Sequence, residues 1–318
     1  MEAELLERIN VMTKISVVVP LYNEEKVINE CYTRIKNVLS GISMSHEIIF
    51  VNDGSRDKTE ALARSLAEND GDLKLINFSR NFGHQTAITA GLDFCEGDVV
   101  VIMDADMQDP PELIPQMIEK WREGYEVVYG KRAQRRGESA FKLITAKIFY
   151  RFLKLMTSID IPLDTGDFRL IDKKVVKEIN KMRENNRYVR GLMSFAGFKH
   201  VSVEYIRQER FAGEAKYSLS KMLKLASDGI ISFSNRPLKL SYILGSITCL
   251  GAVIYFFVNL YRWEAMEKLP YTILLLLQGF ILICIGILGE YVGRIYDECK
   301  GRPIYIIKDT VGLSKPEK

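Results

Sequence analysis

The chain has 318 residues, 27% of them charged and 47% hydrophobic, a length that fits one large domain with an appendage or two domains. That balance excludes a disordered chain and a protein wholly embedded in a membrane. Forty-four Lys and Arg against forty-one Asp and Glu leave a net charge of +3, which gives no bulk attraction for nucleic acid, and five cysteines without C-x-x-C spacing argue against a disulfide scaffold or a Cys-ligated zinc site.

Residues 1–13 carry acids and no apolar core, so they read as an N-terminal extension rather than a cleaved secretory signal, which places the next domain in the cytoplasm. From residue 14 the pattern changes. Ile15 to Val19, Glu47 to Val51, Leu73 to Phe78 and Val99 to Met103 are short apolar runs rich in β-branched residues, each a strand candidate. Between them, apolar residues recur at helical spacing, as in Val27, Cys31, Ile35, Val38 and Leu39. This alternation predicts an α/β domain over residues 14–237 with a mainly parallel, Rossmann-like sheet.

In such a sheet ligands bind beyond the carboxyl ends of the strands. The first strand leads into Pro20-Leu21-Tyr22-Asn23-Glu24-Glu25, the second into Asn52-Asp53-Gly54-Ser55, and the fourth into Asp104-Ala105-Asp106-Met107-Gln108-Asp109, which gathers acids at one edge. Neither a G-x-G-x-x-G fingerprint nor a P-loop occurs, so bound phosphates need another counter-charge. Asp104 and Asp106, two apart at a strand end, would converge on one hard divalent cation, Mg²⁺ or Mn²⁺, with Gln108 adding a carbonyl oxygen. Such an ion bridges a substrate diphosphate. Asn81 to His84 form another loop near this edge, with His84 read as structural.

Lys131 to Lys154 holds eight Lys or Arg and one acid, Glu138, with apolar and basic residues on separate helical faces. A second amphipathic stretch follows at Tyr217 to Phe233. These segments, about 139–157 and 217–235, read as interfacial helices on anionic lipid, or as ordinary surface helices packed on the domain. Leu240 to Tyr261 and Leu269 to Gly289 then run 22 and 21 residues without a charge. At about 1.5 Å per residue each spans roughly 30 Å, enough to cross a bilayer core. Residues 238–293 therefore read as a two-helix transmembrane hairpin and 294–318 as a cytoplasmic tail; flanking Arg236, Lys239, Arg294, Lys300, Arg302 and Lys308 favour both termini inside.

Val17 to Glu25, Val51 to Thr59 and Asp104 to Pro111 together resemble the inverting family 2 glycosyltransferases with a GT-A fold. The hairpin and Asp164-Thr165-Gly166-Asp167-Phe168-Arg169-Leu170 narrow the resemblance to polyprenyl-phosphate glycosyltransferases, the group of bactoprenol glucosyltransferases and dolichol-phosphate mannose synthases, with the bacterial glucosyltransferase branch nearest. The resemblance implies that Pro20, Tyr22 and Glu24 hold the nucleotide of a nucleotide-sugar donor and that Asp53 faces the base, although Asp-Gly is also an ordinary turn signal. It assigns Asp104, Asp106 and Gln108 to the metal, with Asp104 also at the nucleotide. Arg132 falls where the family binds acceptor phosphate, and Lys142 would assist. Arg210 and Lys216 look like a flexible segment closing over donor phosphates; Lys142 and Lys216 could equally solvate or touch lipid headgroups. Asp167 would orient the acceptor or reacting sugar near the metal, or form a structural salt bridge with Arg169 or another base.

The implied reaction moves one sugar, glucose from UDP-glucose, onto undecaprenyl phosphate at the cytoplasmic face, with mannose or amino-arabinose as substrate alternatives. A phosphate monoester with a second pKa near 6 is largely dianionic at neutral pH, so the acceptor needs no strong base. Two mutually repelling anions must instead be held together by cations. A processive synthase would need Q-x-x-R-W, and the Arg-Trp pair here, Arg262-Trp263, lies in the predicted hairpin loop. A catalytically silent membrane scaffold is the reading from another class. A homo-oligomer associated through the hairpins and a flippase for the lipid-linked product complete the expected partners.

Overall fold

The computed structural model describes residues 13–132, 165–206 and 269–313, with isolated helical positions between 238 and 254. The chain divides into two compact units, one of residues 1–146, 160–218 and 303–318, the other of residues 147–159 and 219–302.

The first unit is built on an eight-stranded sheet. Its centre is β1 (Lys14–Leu21), β2 (Ser45–Asn52), β3 (Leu73–Phe78) and β4 (Val99–Ile102), parallel in the order β3-β2-β1-β4. These strands are covered on both faces, which is why they read as unbroken apolar runs rather than alternating ones. Three helices connect them: α1 (Ile28–Ser40), α2 (Thr59–Asn69) and α3 (His84–Phe94). Ile28, Cys31, Ile35 and Leu39 of α1 recur every three or four residues and are buried, each aliphatic side chain contributing about 1.5–3 kcal/mol relative to exposure. In α3, Gly91 lies against Val18 of β1, where any Cβ would run into the valine side chain. That close approach seats α3 on the sheet and presents its first residues, His84 and Gln85, at the carboxyl edge.

The sheet extends through β5 (Val127–Arg132), β6 (Thr165–Asp172), β7 (His200–Tyr205) and β8 (Ile307–Val311), in the full order β7-β5-β6-β4-β1-β2-β3-β8. β6 is antiparallel to both β4 and β5, β7 is parallel to β5, and β8 is antiparallel to β3. The α/β reading with a mainly parallel sheet therefore holds at the centre, while the margins are mixed. Helices α4 (Ile114–Arg122), α5 (Lys173–Lys181) and α6 (Val189–Ala196) accompany the outer strands, with Asp172 capping α5 through the Lys174 amide.

Residues 294–318, expected as a tail, carry β8. This strand covers the edge of β3, which would otherwise offer unpaired backbone groups. Asp309 accepts from Arg64 Nη2 at 2.5 Å and Asn77 Nδ2 at 2.8 Å, and Tyr305 stacks on Phe78 with ring centroids 5.2 Å apart.

In the second unit, α7 (Leu269–Cys299) is 31 residues long, and among the described residues it supplies the one helix long and apolar enough to cross a membrane, over Leu277–Cys299. Among the described residues none of that window is buried, and Leu282, Ile283, Ile285 and Leu288 stand more than half exposed. The other predicted span, 240–261, is described at scattered positions, helical where described, with Ile243, Ile247, Leu250, Val253 and Ile254 exposed. The predicted interfacial helices at 139–157 and 217–235 lie outside the described residues, as do Lys142, Arg210 and Lys216.

Candidate functional site

The loops after β1 and β2 are laced together by side chain to backbone hydrogen bonds. Asn23 N donates to Ser55 Oγ at 3.0 Å, Glu24 N to Thr59 Oγ1 at 2.8 Å, and Arg56 N to Asn23 Oδ1 at 2.8 Å. Asn23 takes φ 54°, the left-handed region that asparagine tolerates, and so turns the chain sharply after Tyr22. Pro20 is the penultimate residue of β1, opposite Val51 of β2. Pro20, Tyr22 and Glu24 thus sit together at the carboxyl edge, as the sequence places them.

Asp53 is buried, and the hydrogen bonds of its carboxylate lead to the Asn81–Gly83 loop. It accepts from Phe82 N at 2.6 Å, Gly83 N at 3.0 Å and Asn81 Nδ2 at 2.8 Å. Burial pushes its carboxyl up, with the Phe82 and Gly83 amides pulling the other way. These contacts tie Asp53 to the loop that leads into α3 rather than to its own turn.

Beyond β4, Met103 N bonds Val18 O, which keeps the chain in register with β1 up to Asp104. Asp106 Oδ1 accepts from Gln108 N at 3.2 Å, and Met107 turns the loop at φ 57°. Asp109 is buried and accepts from the Tyr205 hydroxyl of β7. Arg132 ends β5, in register with Tyr205.

Asp104 meets two partners that the sequence does not pair with it. His84 Nε2 lies 3.4 Å from Asp104 Oδ1 and 3.1 Å from Asp167 Oδ2, so one imidazole stands between a carboxylate of the β4 loop and one of β6. His84, read as structural, is therefore part of the acidic site. Burial would lower its pKa, but Asp104 and Asp167 raise it to about 9, which makes the ring a cation at neutral pH. Burial, then the Asp167, Asp109 and Asp106 charges, push Asp104 up to about 6 against the pull of His84.

Asp167 is 5% exposed. Its partner is Arg190, not Arg169: Arg190 Nε lies 2.7 Å from Oδ1 and Nη2 3.0 Å from Oδ2. Burial opposes its ionisation, but Arg190 and His84 hold it well below the usual carboxylate range. Arg169 donates instead to Gly166 O at 2.9 Å and to Met193 Sδ. Arg190 and Gln85 escaped the sequence reading because nothing in their local spacing links them to a β6 carboxylate.

The donor set suits a divalent metal. Among the described residues Asp104 Oδ1 is enclosed with no hydrogen-bond partner, the His84 ring standing 3.4 Å away, and it faces the Asp167, Asp109 and Asp106 charges, which a dication would offset. His84, Asp104 and Asp167 each bring one potential ligand atom within 4.8 Å of the others. Hard divalent cations favour oxygen ligands, which Asp104 and Asp167 supply in this group.

The first unit is thus an α/β domain, parallel at its centre, whose carboxyl edge gathers Asp53, Asp104 and Asp106. The chain belongs to glycosyl transferase family 2, whose model matches residues 16–180. It is 51% identical over 308 residues to the uncharacterized glycosyltransferase YkcC of Bacillus subtilis, covering 94% of each chain. It is 40% identical over 301 residues to the prophage bactoprenol glucosyl transferase homolog of Escherichia coli, covering 93% of this chain and 98% of that one. Among solved structures, glucosyl-3-phosphoglycerate synthase from Mycobacterium tuberculosis in complex with uridine diphosphate is 17% identical with a TM-score of 0.49, covering 73% of this chain and 82% of that one.

Proposed function

We propose that this family 2 glycosyltransferase moves a single glucose from UDP-glucose, with inversion, onto undecaprenyl or a similar polyprenyl phosphate at the cytoplasmic membrane face. The observation that carries the reading is the reach of the likeness to proteins named bactoprenol glucosyl transferase. It covers 301 residues, well beyond the family match at 16–180.

An exposed apolar α7 supports a membrane-borne acceptor. β7 and β8 belong to one sheet, so if α7 crosses a bilayer a second crossing is needed between the two strands. The uncharged run 240–261 would supply it. A Cβ built on Gly245 would lie 3.8 Å from the Phe280 ring, consistent with two runs packed side by side.

Pro20, Tyr22 and Glu24 would border the nucleotide, and Asp53, held by the Asn81–Gly83 loop, would face its base. Asp104 and Asp106, with Gln108, would hold Mg²⁺ or Mn²⁺, which when bound supplies Lewis-acid stabilisation of the departing diphosphate. Arg132, with Lys142, Arg210 and Lys216, would neutralise the acceptor and donor phosphates. Asp167, fixed at the same edge, would orient the acceptor phosphate or sugar for attack at the anomeric carbon. Calorimetry of UDP and GDP with and without Mn²⁺ tests the donor assignment: metal-dependent UDP binding abolished in Asp106→Ala supports it, and preference for GDP would contradict it.

A further inference from the structure

We propose that Arg190 is a positioning residue for sugar transfer, holding the Asp167 carboxylate in one orientation with the help of Gln85; this rests on the reading that Asp167 faces the reacting groups. Asp167 belongs to β6, while the groups that grip it come from the first turns of two helices, α3 and α6. Arg190 approaches side-on, with Nε on Oδ1 and Nη2 on Oδ2, a two-pronged contact that fixes the plane of the carboxylate as well as its place. Gln85 Nε2 lies 3.4 Å from Oδ2, and its orientation is itself set, because Gln85 Oε1 accepts from Val189 N at 2.9 Å. The amide of α6 next to Arg190 is thereby tied to α3, so both helices bear on one side chain.

The grip has a direction. His84 bonds the same Oδ2 and stands 3.4 Å from Asp104, so rotation of the Asp167 carboxylate would swing an oxygen relative to the acidic centre. A buried ion pair is poor evidence for stability in its own right, since apolar residues of similar volume pack there as well. Lysine would keep the charge at 190 but could not hold the plane.

The test uses the full chain in lipid nanodiscs, with Arg190→Lys, Arg190→Met, Asp167→Asn and the Arg190→Met/Asp167→Asn pair. The readouts are kcat, donor KM, UDP–Mn²⁺ affinity by calorimetry, and Tm. Positioning predicts that folded Arg190→Lys loses roughly 30-fold or more in kcat while donor KM and UDP affinity stay within about 3-fold. It also predicts that Arg190→Met costs less than about 3-fold further in the Asp167→Asn background. Any of these would overturn it: a folded Arg190→Lys with kcat near wild type, a rise in donor KM matched by a fall in UDP affinity, or fully multiplicative losses. If neither single Arg190 variant folds, the pair is structural and the proposal falls. Wild-type protein that transfers no sugar to polyprenyl phosphate would remove the functional reading and this inference together, whereas an active wild type insensitive to Arg190 removes the inference alone.

Discussion

Tyr205, the last residue of β7, donates its hydroxyl to the buried carboxylate of Asp109, three residues beyond Asp106. The bond ties the acidic loop after β4 to a strand three places away in the sheet, across β6 and β5. Tyr205→Phe removes the hydroxyl alone and leaves a buried carboxylate short of a donor, at a cost of about 1.5–3 kcal/mol. The urea midpoint should fall with an unchanged slope, and UDP–Mn²⁺ affinity should weaken as the loop loosens. An unchanged midpoint would separate Tyr205 from the loop.

Gly54 follows Asp53 at φ 61°, and a Cβ there would lie 2.6 Å from Asn81 N and 2.9 Å from Arg80 Cα. Those atoms are backbone of the loop that Asp53 organises. Gly54→Ala combines the left-handed strain with this collision and should destabilise by about 2 kcal/mol or more, lowering Tm and UDP affinity together. Wild-type Tm in this variant would mean that the two loops do not pack as described.

Glu47 lies at the opposite end of the sheet, 1% exposed, with Lys74 Nζ at 2.6 Å, Lys14 Nζ at 2.9 Å and the Ser16 hydroxyl at 2.5 Å. Burial alone would raise its pKa, but Lys74, Ser16, the Glu96 amide and Lys14 outweigh that and hold it at about 2, against an ordinary 4.5. A carboxyl depressed on folding stabilises above its unfolded pKa and loses that stability as pH falls through the folded one. On the order of 3 kcal/mol should therefore disappear between about pH 4.5 and pH 2. Denaturation of Glu47→Gln should start from lower stability at neutral pH and show a shallower loss across that window.

On α7, Leu282 is 68% exposed, in a window with no buried residue among the described residues. If lipid covers it, Leu282→Arg should cost about 2.5–3.5 kcal/mol of insertion and shift the protein toward the carbonate-extractable fraction. A variant that stays in the membrane fraction as fully as wild type would place this face elsewhere.

The centre of the fold was legible because β1 to β4 are uninterrupted apolar runs, each followed by a polar loop that marks the carboxyl edge. The margins were not. β6 carries Asp167, Arg169 and Asp172 within eight residues, which hides a strand from any hydrophobic pattern. β8 pairs with β3 across more than two hundred residues, a register that no local signal sets. Asp104 stood out by its place after a strand, whereas His84 meets it through the close seating of α3 on Val18. Gln85 and Arg190 reach Asp167 from separate helices, 82 and 23 residues away in sequence. Such convergence is tertiary and leaves no periodicity to read.

The central claim is tested most directly by transfer of radiolabel from a panel of UDP- and GDP-sugars into organic-extractable lipid, with undecaprenyl phosphate, Mg²⁺ or Mn²⁺, and Asp106→Ala as control. The account predicts metal-dependent labelling from UDP-glucose that is lost in the variant. No labelled lipid from any donor, with folded protein that still binds nucleotide, would contradict it.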